Sequence, residues 1–129
     1  MKKILIVDDE EDILAYLDTV FRNNGYQTCT ACNGQEALEK TKAENPDLVT
    51  LDIVMPKKSG IRYYQEMKDD PHLKKIPIII ITAITGWGYD KEGFHKFIKS
   101  SKQVPPPEGF MSKPIDPDEL LKVVQKYLD

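Results

Sequence analysis

The chain has 129 residues, 40% of them apolar and 30% charged, with a formal charge of -3 at pH 7. That is the length of one domain, whose own core buries about two thirds of the unfolded chain's surface without disulfides or structural metal. No basic block offers a footprint for nucleic acid, and the apolar stretch Ile4 to Val7 is ended by Asp8 to Asp12, so a cytoplasmic protein without signal peptide or membrane insertion is expected.

Lys3 to Val7 is a short β-branched run that predicts a strand. Asp12 to Asn24 carries Ile13, Leu14, Leu17, Val20 and Phe21 at the one-face spacing of a helix, and Gly25 supplies the stop. Tyr26 to Ala31 predicts a second strand. Asn33 with Glu36 offers a capping box for a helix running to about Glu44, closed by Pro46. Leu48 to Ile53 predicts a third strand, Ser59 to Asp69 a third helix, and Ile76 to Ile81 a fourth strand. That last run is apolar apart from Pro77, the mark of a strand buried on both faces. Phe94, Phe97 and Ile98 predict a helix between about Tyr89 and Ser101, and Gly109 to Met111 a short fifth strand. Asp116, Pro117 and Glu119 combine an N-cap, an N1 proline and an N3 acid, and Leu120, Leu121, Val124, Tyr127 and Leu128 give the helix that follows its buried face.

Successive βα units imply an α/β fold, a parallel sheet covered by helices on both faces and joined by right-handed crossovers. A single domain over residues 1–129, with no output domain, is expected. In such a sheet the functional site lies outside the carboxyl ends of the strands, where strand order reverses. The residues to question there are Asp8 and Asp9 after the first strand, Asp52 at the end of the third, Thr82 after the fourth, and Lys113 with Pro114 after the fifth. Carboxylates about 4 Å apart repel by a few kcal/mol per pair at an effective dielectric near 20, so such a cluster binds protons or a cation. Mg²⁺ answers that need and accepts phosphate oxygens as well as carboxylates. Asp52 is then the candidate nucleophile, with Lys113 and Thr82 balancing charge on a transferred phosphoryl group. An ionised carboxylate has no proton to lose, so no histidine base is required.

The residues also carry a resemblance that covers the whole chain. Asp8-Asp9 after an Ile-Leu-Ile-Val strand, then Asp52, Met55, Pro56 and Gly60, then Thr82-Ala83, then Lys113-Pro114, together resemble the receiver domains of response regulators. The resemblance implies a flavodoxin-like, doubly wound sheet of five parallel strands in the order 2-1-3-4-5. It implies that Asp52 accepts a phosphoryl group from a histidine kinase or phosphotransfer protein. It further implies that Asp9, Asp52 and the backbone carbonyl of Val54 ligate Mg²⁺, with Asp8 acting through water. Lys113, Thr82 and the backbone amide of Ala83 would contact the phosphoryl group. Thr82 would form a switch with the aromatic residue three before the lysine, here Phe110, which has no hydroxyl. The output would go to a downstream protein whose identity the sequence does not give.

Other features have plainer readings. Asp8 to Asp12 also suit the start of a helix. Cys29 and Cys32 have metal or redox spacing, but no second pair completes a zinc site, and their odd offset near a strand end sends them to opposite faces. His72 and His95 sit among polar residues and are expected on the surface, and Trp87 is expected to pack in a loop. The connection from Thr82 to Lys113 is about eight to ten residues longer than a compact βα unit needs, with Gly86-Trp87-Gly88, a lysine-rich stretch and Pro105 to Pro107. Either a partner surface or a decoration without a partner accounts for it. Apolar Val54 and Ile84 would not orient an attacking water, which predicts a phosphorylated state lasting minutes or longer. A phosphohydrolase would want a second acid where Val54 stands, and no glycine fingerprint serves a nucleotide. A phosphorylation-independent pseudo-receiver that binds partners remains the alternative.

Overall fold

The computed structural model describes residues 1–53, 55–56, 59–83 and 107–128. Five strands, β1 (Lys3–Val7), β2 (Gln27–Ala31), β3 (Leu48–Leu51), β4 (Ile78–Ala83) and β5 (Gly109–Lys113), form one sheet in the order β2-β1-β3-β4-β5. Every pairing is parallel. The helices among the described residues are α1 (Glu11–Asn23), α2 (Gly34–Glu44), α3 (Ser59–Asp69) and α4 (Pro117–Leu128). The helix expected between Tyr89 and Ser101, with His95 and Trp87, lies outside the described residues, as do Val54 and Ile84.

The two-residue period of a strand sorts the core into two layers. Leu5, Val7, Val49, Leu51, Ile78 and Ile80 face one way and pack with Ala37 of α2 and Tyr63, Tyr64 and Met67 of α3. Ile4, Ile6, Leu48, Ile79 and Ile81 face the other way and pack with Leu17 and Phe21 of α1 and Leu120, Val124 and Leu128 of α4. Helices therefore cover both faces, and near-continuous apolar strands such as Ile78 to Ile81 are the consequence. Each fully buried side chain of this size contributes about 2 kcal/mol from apolar burial.

Several element ends differ from their sequence expectation for local reasons. β4 starts at Ile78 rather than Ile76, because Ile76 closes a 3₁₀ turn over Leu73–Lys75 and Pro77 has no N–H to give the sheet. Pro77 enters the ladder only through its carbonyl, which accepts from Val49 N–H at 2.9 Å. At the other end β4 includes Thr82 and Ala83, which pair with Ser112 and Lys113, so β5 is longer than Gly109 to Met111. β3 ends at Leu51, yet the N–H of Asp52 still donates to Val7 O at 2.9 Å. The capping box at α2 is half formed: Asn33 Oδ1 accepts from Glu36 N–H at 2.8 Å, while Glu36 Oε1 accepts from Cys32 N–H, one residue before the cap. After α1, Gly25 sits at φ +89°, a left-handed turn that glycine enters without a Cβ penalty.

Candidate functional site

The strand order reverses between β1 and β3, both of which run in the same direction, so their carboxyl ends open a crevice at the sheet rim. Asp8 and Asp9 follow β1 there, and Asp52 follows β3. Backbone bonds past the strand ends hold the first and third of them: Asp8 N–H donates to Ala31 O at 3.1 Å, and Asp52 N–H to Val7 O at 2.9 Å. The acidic run of the sequence thus divides. Asp8 and Asp9 belong to the rim, whereas exposed Glu11 and Asp12 occupy the first turn of α1, where acids suit the helix dipole.

One oxygen from each of Asp8, Asp9 and Asp52 lies within 4.8 Å of the others. Asp8 and Asp52 are only 2% and 4% exposed, a degree of burial at which unbalanced carboxylates are costly. Lys113, the last residue of β5, supplies the compensation: its Nζ is 3.0 Å from Asp8 Oδ2 and 3.4 Å from Asp52 Oδ2. Burial pulls the pKa of this ammonium down, but the field of Asp52, the hydrogen bond to Asp8 and the charges of Asp8 and Glu10 outweigh it. The net shift is upward from the ordinary lysine value, and Lys113 stays protonated. Asp8 is further occupied by Glu10 N–H, which donates to its Oδ1 at 2.9 Å.

Gly60 explains its own place in the sequence pattern. A Cβ there would come within 2.7 Å of Asp52 O and 2.9 Å of Ile53 O, so the first turn of α3 lies directly against the backbone that carries Asp52. Thr82 is in β4 two positions beyond Ile80, which pairs with Leu51, and Ala83 pairs with Lys113. Both belong to the strand rather than to the loop after it. Phe110 is half-buried on β5 and packs against the core layer beneath α2 and α3. Cys29 and Cys32 are free thiols, one half-buried and the other exposed, and His72 is exposed.

Among the described residues, three carboxylates stand against one ammonium, which leaves an excess of negative charge, and every donor in the trio is oxygen. A hard divalent cation fits that set, and exposed Asp9 gives it a solvent-facing side. Two features were not read from the sequence. One is the Lys113–Asp8 pair, shorter than Lys113–Asp52, which depends on the register of a distant strand. The other is a cleft of about 610 Å³ on the outer side of Asp9, lined by Asn33, Ser59, Arg62, Tyr63 and Glu66. It forms only where α2 meets α3, and neither Asp52 nor Lys113 lines it.

A doubly wound α/β sheet with this acidic rim defines a class, and the comparisons agree with it. The family model of the response regulator receiver domain matches residues 4–125, so the chain belongs to the response regulator receiver family of two-component signalling. Among its relatives, sporulation initiation phosphotransferase F of Bacillus subtilis is 40% identical over 127 residues, covering 98% of this chain and 94% of that protein. Protein Rrf1 of Nitratidesulfovibrio vulgaris is 33% identical over 126 residues, covering 98% of this chain and 82% of that one. Among solved structures, chemotaxis protein CheY4 of Vibrio cholerae superposes with a TM-score of 0.80 at 28% identity, covering 98% of each chain. No helix among the described residues is long and apolar enough to cross a membrane.

Proposed function

We propose that this receiver is a phosphorylation-dependent switch in which Asp52 accepts a phosphoryl group from a histidine kinase or phosphotransfer protein. The observation that carries the reading is the buried Asp52 carboxylate, within 4.8 Å of Asp8 and Asp9 oxygens and 3.4 Å from Lys113 Nζ. An Asp52 oxygen attacks phosphorus, the bond from phosphorus to the donor's imidazole nitrogen breaks, and an acyl phosphate remains on Asp52. Asp9, Asp52 and, as the family resemblance implies, the carbonyl of Val54 would hold Mg²⁺, with Asp8 acting through water, and the ion would neutralise charge on the phosphoryl oxygens. Lys113 pairs with one phosphoryl oxygen, while the Thr82 hydroxyl and the Ala83 amide donate to others. Thr82 and Phe110 couple that contact to the partner-binding face, shifting a population between two packings. The chain itself is no enzyme with turnover: it takes up one phosphoryl group and loses it slowly, since apolar side chains at positions 54 and 84 would not orient an attacking water. It works in the cytoplasm and passes its state to a downstream protein.

The Bacillus subtilis relative is a phosphotransferase by name, which supports the same chemistry here. The test is incubation with radiolabelled acetyl phosphate, with and without Mg²⁺. The parent takes up label only with Mg²⁺ and keeps it for minutes, and Asp52→Asn takes up none. Labelling of Asp52→Asn at the parent's rate would overturn the assignment.

A further inference from the structure

Lys113 reaches Asp8 and Asp52 only because β5 pairs with β4 in one register. A strand advances about 3.3 Å per residue and alternates its side chains, so a slip by one position would send Lys113 to the opposite face. Little in β5 itself prevents such a slip. Among the described residues it is an edge strand with β4 as its one neighbour, and in Gly-Phe-Met-Ser-Lys only Met111 is buried. The connection from Ala83 to Gly109 is too long to dictate pairing as a tight turn would.

Glu108, the residue before β5, supplies what the strand lacks. Its N–H donates to Ile78 O at 3.1 Å, and its Oε2 accepts from Ile78 N–H at 3.1 Å. Lys68 Nζ on α3 lies 2.5 Å from Oε1 and 3.0 Å from Oε2. The Tyr127 hydroxyl on α4 donates to Glu108 O at 2.6 Å. Both backbone polar groups and both carboxylate oxygens of Glu108 are therefore engaged, from β4 and from a helix on each face of the sheet. The Lys68 side chain is 3% exposed, too buried for its charge to be left without a counterion in a slipped register.

We infer that Glu108 is a positioning residue for the acidic site: by fixing the register of β5 from its far end, it sets where the Lys113 ammonium stands beside Asp52. The inference rests on the proposed function only for what Lys113 then does.

The experiment uses the full chain with Glu108→Ala, Glu108→Gln, Lys113→Ala, the Glu108→Ala/Lys113→Ala pair, and a Lys68→Met/Glu108→Met pair that strands no buried charge. Hydrogen exchange compares β5 amides with those of β1 and β3, and labelled acetyl phosphate with Mg²⁺ follows uptake. In Glu108→Ala and the methionine pair, β5 protection and the uptake rate each fall about tenfold while β1 and β3 keep their protection. Glu108→Gln, which keeps one acceptor oxygen for Ile78 N–H but leaves the buried Lys68 charge without its counterion, recovers only part of both. Because Glu108 acts through Lys113, adding Lys113→Ala to Glu108→Ala costs little more. Losses that multiply in that pair, or parental β5 protection and uptake in the Glu108 variants, would overturn the inference. If the parent takes up no label, the proposed function falls and the exchange data alone decide: β5 protection lost in the methionine pair upholds the register pin, and protection retained refutes it.

Discussion

Thr50 lies in the middle of β3, 1% exposed, and its hydroxyl has no hydrogen-bond partner among the described residues. Burying an unsatisfied hydroxyl costs about 1–3 kcal/mol, and valine fills the same space without it. Thr50→Val is therefore expected to raise stability by about 1 kcal/mol, read as a higher urea midpoint with an unchanged slope. A lower midpoint would show that the hydroxyl has a partner. The same scale separates what residue identity discloses from what it hides. Asp52 and Lys113 could be picked out as candidates because their types suit phosphoryl chemistry and they stand at strand ends. That Lys113 lies closer to Asp8 than to Asp52 was not legible, since it depends on side-chain reach across the sheet.

Elements were read well where the signal is local. The start of α4 is one case: Asp116 Oδ1 accepts from Asp118 N–H at 3.0 Å and from Glu119 N–H at 3.4 Å, as the Asp-Pro-x-Glu pattern indicates. Asp116→Ala leaves those donors to water and is expected to cost about 1 kcal/mol, measured by urea denaturation, with the acidic rim's behaviour unchanged. A loss well below this would show that Pro117 alone secures the turn. Strand ends were read less well, because pairing partners decide them. β4 begins two residues later than its apolar run suggests, and β5 gains Ser112 and Lys113 only through Thr82 and Ala83. Cys29 illustrates a further tertiary effect: burial pushes its thiol above the ordinary range, which nothing in its sequence neighbourhood announces.

At the scale of the whole molecule, the proposed cation site would couple folding to cation binding. The unfolded chain does not hold Asp8, Asp9 and Asp52 together, so an ion that binds them favours the folded state. Mg²⁺ at about a hundred times its Kd is expected to raise the unfolding free energy by about 2.7 kcal/mol, seen as a shift in the urea midpoint that Asp9→Asn diminishes. An equal shift in Asp9→Asn would remove that residue from the cation site. The sequence alone determined the alternation of strands and helices, the parallel α/β class and the set of acids at the rim. Those follow from periodicity, capping residues and turn chemistry, which act over a few neighbours. Only the tertiary structure decided the register of β5, the sharing of one ammonium between two carboxylates, and the clasp of Glu108 with Lys68, Ile78 and Tyr127. Each of these joins groups far apart in the chain, and packing of the whole sheet, not any local preference, fixes their distances.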